Sequence, residues 1–321
     1  MNILITGVTG FTGSHLLDRL TENTNNKVFG TVRGKFRDIS NISYSKDRVK
    51  LLDCDLSDFN SVFATLEDSQ PDLIYHLAAQ TFVPNSWRAP QETYTTNVIG
   101  TLNILEGIRK LNMNPKILIA GSSEEYGMVK EDECPITENN TLNPLSPYAV
   151  SKVAQDLMGY QYYYSYGMKI IRSRCFNIIG PRSSDKIFTA SFAKQIAQIE
   201  HKQLEPTIKV GNLTTIRDLI DVRDVASAYE YAMKYCKFGD VYNITTGNGK
   251  KVQDVLDTLI TLSTAKDEIK VEHDPERMRP SDVPRLIGDS TKFVNKTGWK
   301  PNYTFNESIS DVLDYWREVC R

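Results

Sequence analysis

The chain has 321 residues and carries 38 Lys plus Arg against 40 Asp plus Glu, a formal charge of −2. That balance argues against a general nucleic-acid binder, which draws on a basic excess, and 40% hydrophobic with 24% charged residues excludes a disordered chain. The longest apolar runs are strand-length, too short to span a membrane, and five scattered cysteines without a CxxC pair argue against both a disulfide framework and a metal site.

Met1 to Gly7 has neither a basic n-region nor the apolar core of a secretory signal. The chain is therefore expected to open directly on a strand and to work in a reducing cytoplasm. Short runs of Ile, Leu, Val and Tyr predict strands at Asn2–Thr6, Lys27–Val32, Val49–Leu52, Asp72–Leu77, Lys116–Ala120 and Lys169–Arg174. Nearly continuous apolar runs suit strands covered on both faces of a parallel sheet. Helical patterns lie between them, among them His15–Glu22 and Asn97–Leu111, the latter with Val98, Leu102, Leu105 and Ile108 on one stripe. This alternation predicts an α/β fold with right-handed crossovers and a doubly wound parallel sheet. After about residue 175 the strands thin to Thr207–Val210, Val241–Thr245 and Ile269–His273. Helices are expected at Ser191–His201, Val222–Lys237, Val252–Thr264 and Asn306–Glu318. Residues 1–175 thus read as a dinucleotide-binding domain. Residues 176–321 read as a smaller, mainly C-terminal α/β domain for substrate, with some segments returning to the first.

Gly7-Val8-Thr9-Gly10-Phe11-Thr12-Gly13 follows the first strand and opens the first helix. Glycines there permit a tight turn and close approach of a pyrophosphate, and the helix N-terminus offers free N–H groups. At the end of the second strand, where an acidic residue would receive a ribose 2′-hydroxyl, stands Arg33. Its guanidinium suits a 2′-phosphate, which predicts NADP(H) in preference to NAD(H); as a solvated loop charge it would carry no such meaning. Asp55-Leu56 after the third strand could flank adenine. Leu77-Ala78-Ala79 after the fourth could let a cofactor lie on the backbone; packing explains these segments equally well.

Tyr148 and Lys152 are spaced i, i+4 and share a helix face. An ammonium beside a phenol favours the phenolate, so Tyr148 is expected to exchange protons near neutral pH. Ser122, at the end of the fifth strand, could hydrogen-bond a substrate oxygen.

Together the glycine run, Leu77-Ala78-Ala79-Gln80, Ser122 and Tyr148/Lys152 resemble the extended short-chain dehydrogenase/reductases that modify nucleotide sugars. The resemblance extends over essentially the whole chain. It is closest to the branch of GDP-mannose 4,6-dehydratase and GDP-6-deoxy-4-keto-mannose reductase, through Gly121-Ser122-Ser123-Glu124-Glu125-Tyr126-Gly127, Val210-Gly211-Asn212-Leu213, Arg217-Asp218, Asp221-Val222-Arg223-Asp224, Arg277–Val283 and Thr297-Gly298-Trp299-Lys300-Pro301. It implies a Rossmann domain with a GDP-sugar in a cleft against the smaller domain. It implies Tyr148 as acid/base at the sugar O4, supported by Lys152 and Ser122. It further implies Gln80, Ser86, Trp87, Ser123, Asn177, Lys194 and Val210 on the substrate, with Arg217 and Arg279 on its pyrophosphate. Relatives of this kind are homodimers or homotetramers.

Two reactions fit the resemblance. A 4,6-dehydratase, turning GDP-mannose into GDP-4-keto-6-deoxy-mannose plus water, needs a further base, and Glu124 sits where such dehydratases have their glutamate. A C4 reductase forming GDP-rhamnose needs only Ser122, Tyr148, Lys152 and NADPH. Phe11-Thr12 in the glycine run, where dehydratases usually show Gln-Asp, favours the reductase. The full acid/base set tips the expectation to the dehydratase. An epimerase and a non-catalytic cofactor-binding regulator are the remaining alternatives.

Overall fold

The computed structural model describes residues 1–34, 38–277 and 283–321. Its strands are β1 (Asn2–Thr6), β2 (Lys27–Val32), β3 (Val49–Asp53), β4 (Leu73–His76), β5 (Lys116–Ser122), β6 (Lys169–Cys175), β7 (Asn177–Ile179), β8 (Thr207–Val210), β9 (Ile216–Asp221), β10 (Val241–Ile244), β11 (Gly249–Lys251), β12 (Lys270–His273) and β13 (Arg285–Leu286). The α-helices are α1 (Phe11–Thr21), α2 (Phe59–Ser69), α3 (Val83–Arg88), α4 (Pro90–Tyr94), α5 (Gly100–Lys110), α6 (Pro147–Tyr166), α7 (Phe188–Glu200), α8 (Val222–Tyr235), α9 (Val252–Leu262), α10 (Thr291–Thr297) and α11 (Phe305–Val319). No helix among the described residues is long and apolar enough to cross a membrane.

Seven strands form a parallel sheet in the order β10-β6-β5-β4-β1-β2-β3. Side-chain alternation explains why these runs are apolar throughout. Ile3 and Ile5 of β1 enter one core with α1 and α8, while Leu4 enters the opposite core with α2 and α5. Likewise Leu118 of β5 faces the first core, and Ile117 and Ile119 the second. Both faces are covered, which is the doubly wound layering expected. Strand order reverses between β1 and β4, so a crevice opens beyond their carboxyl ends, the usual ligand position in such sheets.

Val241–Ile244 pairs with β6 at the sheet edge, so a segment late in the chain belongs to the first layer. The other late strands form two small sheets: β11-β9-β13 with β7 on β9, and β12-β8. Their core is built on Phe192, Ile196, Val255, Leu256, Leu259, Val312, Leu313 and Trp316. The strand β9 was not expected, because Arg217, Asp218 and Asp221 interrupt its apolar residues.

Helix α6 carries Tyr148 and Lys152, and its start is sharply set. The Ser146 hydroxyl accepts the Ala149 N–H at 3.1 Å, and Pro147 occupies the first turn. Gly167, with φ of 67°, ends the helix. Before α5 the chain makes a π-helical turn, Thr95–Ile99, which buries Asn97.

Candidate active site

The carboxyl ends of β1, β4 and β5 bring the glycine run, the Leu77–Gln80 segment and Ser122 to one edge of the sheet. Gly7 has φ of +71°, and a Cβ there would stand 2.9 Å from Ala78 Cα. A Cβ on Gly13 would run into the Gly7 carbonyl oxygen. Gly10 N–H donates to Gly7 O at 3.0 Å, closing the turn. Gly10 is the N-cap of α1 and supplies no side-chain cap, so the first turn at Phe11, Thr12 and Gly13 presents its N–H groups to the crevice. This cradle fits the pyrophosphate of a dinucleotide.

Arg33 is exposed just beyond β2, where Gly34 N–H donates to Asp53 at 2.9 Å. Asp55 accepts the Ser57 N–H and hydroxyl at 2.9 and 2.7 Å, and those bonds, with Arg33 nearby, hold its carboxyl below the usual range. Leu56 is buried, and its carbonyl accepts from Asn103 at 2.7 Å. The wall at β4 is fixed from beneath. Thr6 Oγ1 accepts the N–H groups of Leu77 and Ala78, both at 3.1 Å. Its hydroxyl then donates to His76 Nδ1 at 2.8 Å, which leaves the proton on Nε2, 2.9 Å from Thr101 Oγ1. Ala79 is half-buried on the same wall. Gln80 is used internally: its N–H reaches Asn97 Oδ1 at 2.8 Å, and its amide bonds Thr93 and Phe82.

Ser122, Tyr148 and Lys152 meet at the end of β5. The Ser122 hydroxyl hydrogen-bonds the Tyr148 phenol. Lys152 Nζ lies 5.9 Å from the Tyr148 ring and donates to Ala120 O at 2.8 Å. Burial pushes the Lys152 ammonium down to about 8, with Glu125 opposing. The expectation of a near-neutral Tyr148 is not met in this structure. The phenol is buried, and desolvation, with Glu124 and Glu125 nearby, pushes it above its ordinary value despite the Ser122 bond.

The two adjacent glutamates take different environments. Glu124 is half-buried, its N–H donates to Ser122 Oγ at 3.2 Å, and its carboxylate is close enough to act on Tyr148. Glu125 is fully buried and ion-paired to Arg174 at 3.1 Å. Ser123 is buried between Ser122 and Glu124. The arrangement can exchange a proton at one substrate oxygen through Tyr148 and hold a second carboxylate at the same cleft.

The residues expected on the substrate are spread between the helices that follow β4 and the small sheets late in the chain. Trp87 is 44% exposed on α3, next to the buried Ser86, whose hydroxyl donates to Val83 O at 2.7 Å. Asn177 opens β7, and among the described residues its buried Oδ1 has no hydrogen-bond partner. Val210 is buried at the end of β8. Lys194 pairs with Asp185 at 2.6 Å and lies over the Trp316 ring. Arg217 is 7% exposed and donates to Val283 O at 2.7 Å. Arg279 lies outside the described residues. The supporting side chains His76, Asn97, Glu125 and Arg174 were not singled out from sequence; each is polar, and only the fold reveals that it is buried.

A family profile described as GDP-mannose 4,6 dehydratase matches residues 4–312. The GDP-6-deoxy-D-mannose reductase of Pseudomonas aeruginosa is 35% identical over 251 residues, 78% of this chain and 82% of that protein. The GDP-mannose 4,6 dehydratase of Drosophila melanogaster is 30% identical, with 99% of this chain and 86% of that protein matched. Among solved structures, RMD from Pseudomonas aeruginosa complexed with NADPH superposes with a TM-score of 0.85 at 30% identity, over 99% of this chain and all of that one.

Proposed function

The chain belongs to the GDP-mannose 4,6-dehydratase family, an extended short-chain dehydrogenase/reductase family, and from that premise we propose that it converts GDP-mannose to GDP-4-keto-6-deoxy-mannose and water. The observation that carries this reading is Glu124. Glu124 is half-buried, its N–H donates to Ser122 Oγ at 3.2 Å, and its charge reaches the Tyr148 phenol, which sets a carboxylate beside the proton-exchanging pair.

Gly7, Gly10, Phe11, Thr12 and Gly13 would hold the cofactor's pyrophosphate, Arg33 a 2′-phosphate, Asp55 and Leu56 the adenosine end, and Leu77, Ala78 and Ala79 its flank. NADP(H) is the preferred form and NAD(H) the other, on the exposed Arg33 and on the NADPH named in the Pseudomonas structure. Bound there, the cofactor would supply the hydride chemistry at C4 and C6. Tyr148 takes the proton from the sugar O4, with Ser122 orienting that oxygen and Lys152 stabilising the phenolate. Glu124 removes the C5 proton, made acidic by the C4 ketone, and passes it to the departing C6 hydroxyl, which leaves as water; once C6 has received the hydride, a proton from solvent returns to C5 through Glu124, and Tyr148 releases the O4 proton to solvent. Asn177, with its open Oδ1, and Arg217 belong to the substrate side. So, on the resemblance, do Gln80, Ser86, Trp87, Ser123, Lys194, Val210 and Arg279.

A C4 reductase is the second reading, favoured by the 35% identity to a reductase and by Phe11-Thr12. Replacing Glu124 with Gln separates the two. A dehydratase loses water elimination from GDP-mannose and keeps cofactor binding. Elimination at the parent rate would refute the role of Glu124.

The division near residue 175, with β10 assigned to the dinucleotide-binding part, belongs to this reading. So does a homodimer or homotetramer, supported by Val150, Leu157, Tyr160 and Tyr164, which stand exposed along α6. The five free cysteines suit the cytoplasm.

A further inference from the structure

We propose that Glu125 is the positioning residue of the active site: its carboxylate grips the Ser122 amide, and Arg174 and Asp156 tie that grip to β6 and α6. The inference rests on Ser122 and Tyr148 acting at the substrate, and it holds for either of the two reactions above.

The geometry is specific. Glu125 Oε1 accepts the Ser122 N–H at 2.7 Å, and Oε2 accepts Arg174 Nε at 3.1 Å. Each oxygen faces an N–H donor, as the oxygens of an ionised carboxylate do. Arg174 also grips Asp156 of α6 and reaches the Tyr126 hydroxyl at 3.1 Å. Asp156 in turn accepts from Arg172 at 2.7 Å. The whole cluster is buried: Glu125 0%, Asp156 2%, Arg174 5% and Arg172 8% exposed. Gly121 leaves it room, because a Cβ there would stand 2.5 Å from Glu125 Oε1 and run into the Ser173 carbonyl. The turn that carries Ser122 and Glu124 is therefore bound to the same helix that carries Tyr148 and Lys152. A buried ion cluster is weak evidence for stability. Its distinctive consequence here is register: it sets where the Ser122 hydroxyl meets Tyr148.

Glu125 also acts through charge. The ionisable groups facing it are Asp156, Lys152 and Tyr148 of α6, Arg174 of β6, and Tyr126 of its own turn. Burial and Asp156 push its carboxyl upward, while Arg174, the Ser122 amide and Lys152 pull it back. Glu125 supports the Lys152 ammonium against burial and adds to the upward push on Tyr148. Neutralising it removes that support from the Lys152 ammonium, so the alkaline limb of a pH–rate profile moves to lower pH. A role confined to folding would scale activity equally at all pH.

The test uses the full chain as Glu125→Gln, in which one amide oxygen cannot serve two donors. Two readouts are taken on protein labelled at serine nitrogen: hydrogen exchange of the Ser122 amide, and kcat with KM on GDP-mannose or, with NADPH, on the 4-keto sugar. The expected result is Ser122 exchange faster by ~10-fold or more. A fall in kcat on the order of 10²-fold, with KM within about 3-fold, accompanies it, and the alkaline limb of the pH profile shifts to lower pH. Unchanged exchange together with unchanged kcat would overturn the proposal. Should the single variant unfold, Glu125→Met with Arg174→Met replaces the buried pair by apolar groups of similar size, while Asp156 keeps Arg172 as its partner. It still lacks the acceptor for Ser122, so its exchange stays fast and its kcat low; recovery of kcat with stability would show the cluster to be structural only. If the parent turns over neither sugar, the functional reading fails, and the exchange of Ser122 judges the clamp alone.

Discussion

His76 gives the sharpest quantitative expectation. Its ring is 2% exposed, locked between Thr6 and Thr101, and burial together with the Lys152 charge pushes its pKa from 6.5 to about 3. The folded chain therefore holds a neutral imidazole, while the unfolded chain takes up a proton below about pH 6.5. A pKa lowered on folding contributes stability that is present above the unfolded value and is lost as pH falls towards the folded one. Between pH 7 and pH 5 the loss from His76 alone is ~2 kcal/mol, at about 1.4 kcal/mol per unit below the unfolded pKa. The test is chemical unfolding of the parent and of His76→Gln at both pH values. Gln removes the titrating group, and comparing the pH-dependent differences cancels the carboxylates common to both proteins. The parent is expected to lose ~2 kcal/mol more than the variant on acidification. Equal losses would refute a buried neutral histidine beneath the β4 wall.

Three further expectations concern the site. Lys152, lowered to about 8 by burial, should lose its proton as pH rises through that value, so kcat should fall on the alkaline side near pH 8; an alkaline limb above about pH 10 would contradict this. Gly13→Ala places a methyl against the Gly7 carbonyl and should weaken dinucleotide binding by roughly 10²-fold or more, measured by quenching of protein fluorescence. Arg33→Ser should reduce the preference for NADPH over NADH by ~10-fold or more, the worth of a charged contact to a phosphate; an unchanged ratio would move phosphate recognition elsewhere.

Much of this was legible where local chemistry and fold agree. The glycine run after β1, the six apolar strand runs, and the Tyr148/Lys152 spacing on a helix set by Ser146 and Pro147 all follow from nearby residues. Helix α1 begins at Phe11 rather than His15, because its first turn is built from residues that read as loop. The strand β9 escaped notice because its polar residues are buried by distant partners. Asp218 accepts the N–H groups of Thr246, Gly247 and Gly288, and Asp221 caps α8 and bonds Ser308. The same cause hid Glu125. Beside Glu124 it reads as one more surface charge, and only the approach of β6 and α6 reveals Arg174 and Asp156. The place of β10 beside β6 depends equally on a pairing far along the chain.

The central claim is elimination of water from GDP-mannose with Glu124 as the C5 base. The most direct measurement is to incubate the protein with GDP-mannose in deuterated water, without added NADPH, and to follow the sugar by mass spectrometry. The account predicts a product lighter by one water and carrying one solvent deuterium at C5, with neither change in Glu124→Gln. Unaltered GDP-mannose, together with NADPH consumption on the 4-keto-6-deoxy sugar, would contradict it and assign the chain to C4 reduction.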